Sequence, residues 1–143
     1  MKGELFSGKC FLSGGFLNLT PRDAYFEAVN CEAVIVDVRE DYLTGYKRFK
    51  APLIAYIPLS SLDARLNELP FDIPLIIADS AGLRSHEAMI LMIEKGYTNI
   101  TNLAGGIVEW ERDGLPLETD FKEQLDGSCM CQLKPRNKLK AKE

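Results

Sequence analysis

The chain has 143 residues, 46% of them hydrophobic and 27% charged, with a formal net charge of −4, a balance that suits one soluble globular domain with a real core and a tail. No stretch approaches the roughly 18 to 20 apolar residues that span a bilayer, and Lys2, Glu4 and Lys9 deny the N-terminus the apolar run of a signal peptide; a membrane protein is excluded and a cytoplasmic location is expected. Four cysteines, Cys10, Cys31, Cys129 and Cys131, show neither the framework of a small secreted disulfide domain nor four converging ligands for structural zinc, so reduced thiols and no metal or cofactor are expected.

In chain order, residues 1–14 read as an N-terminal extension, 15–119 as the domain and 120–143 as a cysteine-containing basic tail. Residues 16–19 form a short strand candidate. Thr20-Pro21 is a helix start, an N-cap hydroxyl followed by proline at the first helical position, and Ala24, Phe26, Ala28 and Val29 carry the apolar content on to Asn30. Residues 33–39 are a β-branched apolar run suited to a strand buried on both faces. Further strands are expected at 54–57, 75–78 and 99–103, and helices at 60–69, 85–95 and 107–112. Ala88, Met89, Leu91, Met92 and Ile93 are among the apolar residues of the second of these helices, and Gly96 stops it. Strands alternating with helices imply an α/β domain with an open parallel sheet covered on both sides.

The residues from Pro74 to Ser85 read as a buried strand, a short loop and a helix, with Asp79 at the turning point. Ligands of open α/β sheets bind beyond the carboxyl ends of the strands, and Asp79 falls there. Backbone N–H groups in such a loop converge on one point, and the following helix adds the partial positive charge of its N-terminus. Asp79, Ser80, Ala81, Gly82, Leu83, Arg84 and Ser85 are therefore the candidate anion-binding loop.

Several separate strings then fall into one pattern: Val36-Asp37-Val38-Arg39-Glu40, Gly45, Ile57-Pro58-Leu59 with Leu62, Gly82-Leu83-Arg84-Ser85, Gly96-Tyr97, Asn102-Leu103-Ala104-Gly105-Gly106-Ile107, Trp110, and Gly114-Leu115-Pro116. Their order and spacing resemble the single-domain rhodanese-like family over residues 16–116. The resemblance implies a rhodanese-like three-layer sandwich, a central parallel five-stranded sheet flanked by helices. It also implies a loop that opens on a nucleophilic cysteine, with four residues before an arginine; the phosphatase relatives have five. Here Ser80, Ala81, Gly82 and Leu83 separate Asp79 from Arg84, so the loop length matches the sulfurtransferases while the cysteine position holds Asp79. Where the family commonly reads Gly-His-Ile-Pro-Gly-Ala, this chain has Gly45-Tyr46-Lys47-Arg48-Phe49-Lys50-Ala51, a more basic rim.

Three roles for Asp79 follow. In the first its carboxylate accepts the loop N–H groups, pairs with Arg84, and fills its own anion site. In the second it is an acylphosphate nucleophile, which wants Mg²⁺ and further carboxylates; Ala81 is not one, and Asp37 is the candidate at a neighbouring strand end. In the third the thiol has moved: Cys129 or Cys131 carries persulfide sulfur to the loop, which lies within the roughly 40 Å that the segment after Pro116 spans when extended. Lys134 and Arg136 nearby favour a thiolate.

His86, Ser80 and Ser85 lack a nucleophile–base partnership; His86 reads as a partly exposed helix residue, Ser80 and Ser85 as loop and helix caps, and Trp110 as packing. Residues 127–143 carry about +4 against about −8 for the remainder, read as a solvated terminus with no aromatic residues among its basic ones for nucleic acid. The reading adopted is a rhodanese-like binding or regulatory module of sulfur or redox metabolism without ordinary thiosulfate sulfurtransferase activity. Its partner is a small anion or a protein, not nucleic acid or membrane.

Overall fold

The computed structural model describes residues 10–13, 15–44 and 47–119. Fourteen short segments follow one another along them. They are β1 (Phe11–Ser13), β2 (Phe16–Leu19), α1 (Pro21–Asn30), β3 (Val34–Asp37), α2 (Asp41–Thr44), β4 (Lys47–Phe49), β5 (Ile54–Tyr56), α3 (Leu59–Arg65), a 3-10 turn (Leu66–Glu68), β6 (Leu75–Ala78), α4 (Arg84–Glu94), β7 (Ile100–Leu103), α5 (Gly106–Arg112) and β8 (Leu117–Thr119). Thr20 caps α1 as its chemistry suggests, its hydroxyl accepting the Asp23 N–H at 3.2 Å, with Pro21 as the first helical residue.

The main sheet has the order β1-β2-β7-β6-β3-β5. Strands β2, β7, β6, β3 and β5 are parallel, which confirms the parallel core. A sixth strand, β1, pairs antiparallel with β2 at one edge, inside the stretch expected as an extension. A second departure is the antiparallel ribbon of β4 and β8, with Phe49 opposite Leu117. The helix expected over 60–69 ends as α-helix at Arg65 and tightens into the 3-10 turn, whose Leu69 N–H donates to Leu66 O at 2.9 Å just before Pro70. Cys129 and Cys131, with the rest of 120–143, lie outside the described residues, as do Gly45 and Tyr46.

Period-two alternation sorts the strand side chains into two cores. Val36, Leu75 and Ile77 face α3 and α4, where Leu62, Ala88, Met89 and Met92 cover them. Ile35, Ile76, Ala78 and Leu103 face α1 and α5, beneath Ala24, Ala28, Ile107 and Trp110. Because all four residues of β6 are buried, both cores hold this strand in place. Burial of one such aliphatic side chain stabilises by about 1.5 to 3 kcal/mol. In register, Asp37 lies opposite Ala78, so the carboxyl ends of β3 and β6 stand side by side and the chain leaves β6 directly into Asp79.

Candidate functional site

Asp79 is 3% exposed. Its Oδ1 accepts the N–H of Gly82, and its Oδ2 accepts those of Arg84 at 2.6 Å and Ser85 at 3.1 Å. Gly82 allows the loop to curl this tightly: its φ of +92° is in the left-handed region, and a Cβ there would come within 3.1 Å of the Gly105 nitrogen. The loop thus directs three donors at one carboxylate, with the positive end of α4 behind two of them. From the opposite side the first turn of α5 holds the loop backbone, Ile107 N–H donating to Asp79 O at 2.9 Å and Val108 N–H to Ser80 O at 3.1 Å.

The remaining loop residues divide cleanly. Ala81 and Leu83 are exposed and Ser80 is half-buried. Arg84 contributes its backbone to Asp79 but not its side chain, contrary to the pairing expected from the sequence. Its guanidinium, 54% exposed, points to Glu40 at 3.9 Å, while Glu40 also accepts the Ser60 hydroxyl at 3.0 Å. Backbone donors already surround Asp79, so the long side chain turns to the acid at the mouth. The Ser85 hydroxyl faces away from the carboxylate and donates to Asn102 Oδ1. His86, in the first turn of α4, lies half-buried with its ring stacked on Phe16, centroids 4.6 Å apart.

Asp37 does lie at the neighbouring strand end, but Arg39 engages it. Arg39 Nε reaches Oδ1 at 3.0 Å, Nη2 reaches Oδ2 at 2.7 Å, and the Arg39 N–H reaches Oδ1 at 3.1 Å. Both side chains are almost fully buried. Nη2 also donates to Lys47 O at 2.7 Å, and the guanidinium sits 5.7 Å from the Phe49 ring centroid. A carboxylate bound this way fastens β3 to β4 and is not offered to a phosphoryl site. Among the described residues no three His, Cys, Asp or Glu side chains converge as a metal site. The Cys10 thiol bonds Thr101 Oγ1 at 3.5 Å; burial pushes its pKa up, against the opposing hydrogen bond and with the Glu27 charge adding to the rise. Cys31 is exposed.

With this geometry in hand, comparison with known proteins decides the family. Residues 22–113 match the rhodanese-like domain. The chain belongs to the rhodanese-like family. A sulfurtransferase of Allochromatium vinosum is 36% identical over 86 residues, covering 60% of this chain and 78% of the relative. The thiosulfate sulfurtransferase GlpE of Actinobacillus succinogenes is 29% identical over 106 residues, 74% of this chain and 94% of the relative. In fold, a rhodanese-related protein from Thermoplasma volcanium superposes with a TM-score of 0.64 at 24% identity, covering 72% of this chain and 98% of that one.

Within this rhodanese-like domain, sequence reasoning found the loop but not what braces it. Gly105 and Gly106, at φ of +78° and +61°, form its back wall, and the Gly105-Gly106 pair was visible as part of the family pattern without a stated role. Asn102 stood at the head of the same string, but its own chemistry suggested no role, since an asparagine in a short strand looks only like a weak strand former.

Proposed function

We propose that this rhodanese-like domain is a binding or regulatory module of sulfur or redox metabolism, with Asp79 where sulfur-transferring relatives carry their nucleophilic cysteine and without ordinary thiosulfate sulfurtransferase activity. The observation that carries this reading is that the Asp79 carboxylate takes the N–H groups of Gly82, Arg84 and Ser85. Sulfur transfer of the family type needs a thiolate that attacks sulfane sulfur and keeps it as a persulfide; a carboxylate forms no such bond. Thiosulfate would also have to displace an anion tethered to the loop itself, which competes at an effective concentration in the millimolar range or above, and to enter beside its charge. With the donors engaged, the partner is a protein that meets the exposed rim of Ala81, Leu83 and Arg84, not a small anion held in the loop. Among the described residues no helix is long and apolar enough to cross a membrane; a cytoplasmic location is part of this proposal.

Conversion of thiosulfate and cyanide to thiocyanate tests the reading in the full chain, in Asp79→Cys, and in a Cys129→Ser/Cys131→Ser variant. The wild type is expected to be inactive and Asp79→Cys to gain a cyanide-sensitive persulfide, since the braced loop is intact. Wild-type turnover at the rate of sulfurtransferase relatives overturns the proposal. Turnover lost in the double serine variant would assign the sulfur to Cys129 or Cys131 instead.

A further inference from the structure

Three buried polar side chains run from the loop to the edge of the sheet: Ser85 at 0%, Asn102 at 2% and Asn18 at 4% exposure. Asn18 and Asn102 stand opposite one another in the β2–β7 register. The polarity of the chain is dictated from the edge. The Ser13 and Phe16 carbonyls can only accept, so Asn18 turns Nδ2 to them, at 3.2 and 2.8 Å, and Oδ1 inward. Asn102 must then give Nδ2 to Asn18 Oδ1, at 2.7 Å, which leaves Asn102 Oδ1 as the acceptor of the Ser85 hydroxyl. Each bond fixes the orientation of the next, and the last one holds the residue whose backbone N–H lies 3.1 Å from Asp79 Oδ2. A satisfied buried network rigidifies what it touches, while one missing member leaves the others desolvated and unpaired.

We propose that Asn102 and Asn18 are positioning residues for the loop. They fix Ser85 at the first turn of α4, aim its N–H at the anion, and make the setting of the loop depend on the β1–β2 hairpin. The inference rests on the observed loop and not on the binding role proposed above, so an assay that reads the loop amides directly separates the two.

Amide hydrogen exchange of the full-length protein supplies that assay, with Asn102→Leu and Asn102→Asp as same-sized replacements of which only the second keeps an acceptor for the Ser85 hydroxyl. Asn102→Leu is expected to speed exchange at Arg84 and Ser85 by about tenfold or more, relative to Val36 and Ile77 in the central strands, and Asn102→Asp to restore part of the protection at those two amides, since its carboxylate still accepts the Ser85 hydroxyl but no longer donates to Asn18 Oδ1. A second comparison carries the hairpin arm. Asn18→Ser should loosen the Arg84 amide in the wild-type background and add nothing in a Ser85→Ala background, because the chain is already cut. Equal acceleration at Val36 and Ile77, which is what lost fold stability alone would give, overturns the proposal. So does the same Asn18→Ser increment in both backgrounds. Should a buried acid at 102 prevent folding, the Asn18→Ser and Ser85→Ala cycle decides alone.

Discussion

At Gly106 the loop and the helix behind it come closest. Its φ is +61°, and a Cβ built there would lie 2.5 Å from Asp79 O and from the carbonyl of Ser80. Those are backbone atoms of the loop, so neither can rotate aside. Gly114 makes the natural control, with φ at +77° and nothing within 4 Å of its added Cβ. Gly114→Ala pays only the left-handed conformation, about 1 to 2 kcal/mol, whereas Gly106→Ala adds a steric displacement of about 1 to 3 kcal/mol. Chemical denaturation should therefore show Gly106→Ala as the clearly less stable of the two; equal losses would mean that the close approach is relieved without strain. That Asp79 stands where loop N–H groups converge was legible at this scale, because a strand, a loop and a helix in sequence define that point. The direction of the Arg84 side chain was not, since it depends on Glu40, 44 positions earlier.

Among the elements, the buried pair of Asp37 and Arg39 is the fastening that brings β4 to the end of β3. Arg39→Met leaves a buried carboxylate with one backbone N–H, and the loss expected from breaking such a pair is about 3 to 5 kcal/mol. The Asp37→Asn/Arg39→Met double variant removes the stranded charge and should recover part of that loss. Equilibrium unfolding of the single and double variants checks it, and a double variant less stable than Arg39→Met alone would contradict the account. The same pair explains which elements the sequence shows. Apolar runs at 75–78 and 33–39 announce buried strands because burial on both faces leaves no room for polar residues. Lys47-Arg48-Phe49 announces nothing, for its strand pairing with β8 is made with residues some 70 positions later and its Lys47 carbonyl is held by Arg39. β1 is equally silent: three exposed residues gain their conformation only from pairing with β2.

For the molecule as a whole, stability should fall on the alkaline side, and the cause is local fastening between helices. Tyr97, just after the left-handed Gly96, shares its one hydroxyl proton between Leu66 O at 2.9 Å and Leu69 O at 2.6 Å, and its ring stacks on Phe71 at 4.1 Å between centroids. It thereby ties the end of α4 to the 3-10 turn after α3. Burial raises the pKa of this phenol. It raises that of Tyr56 too, with the Asp37 charge adding to the rise, and the thiol of Cys10 follows the same direction. A raised folded-state pKa means that the native protein holds the proton more tightly than the unfolded chain, so the stabilisation is whole below the unfolded value and is lost as pH rises through the folded one. The unfolded values are about 8.5 for a thiol and about 10 for a phenol. Unfolding free energy is therefore expected to be level from about pH 7 to 8, to decline slightly as Cys10 enters, and to fall more steeply above about pH 10. Tyr97→Phe removes this shared hydrogen bond, which should lower stability at neutral pH by about 1 kcal/mol and flatten the steep part of the curve. Urea unfolding of both proteins across that range is the measurement. If Tyr97→Phe loses stability above pH 10 as steeply as the wild type, the fall belongs to other groups and the fastening of α4 by this phenol is not its source.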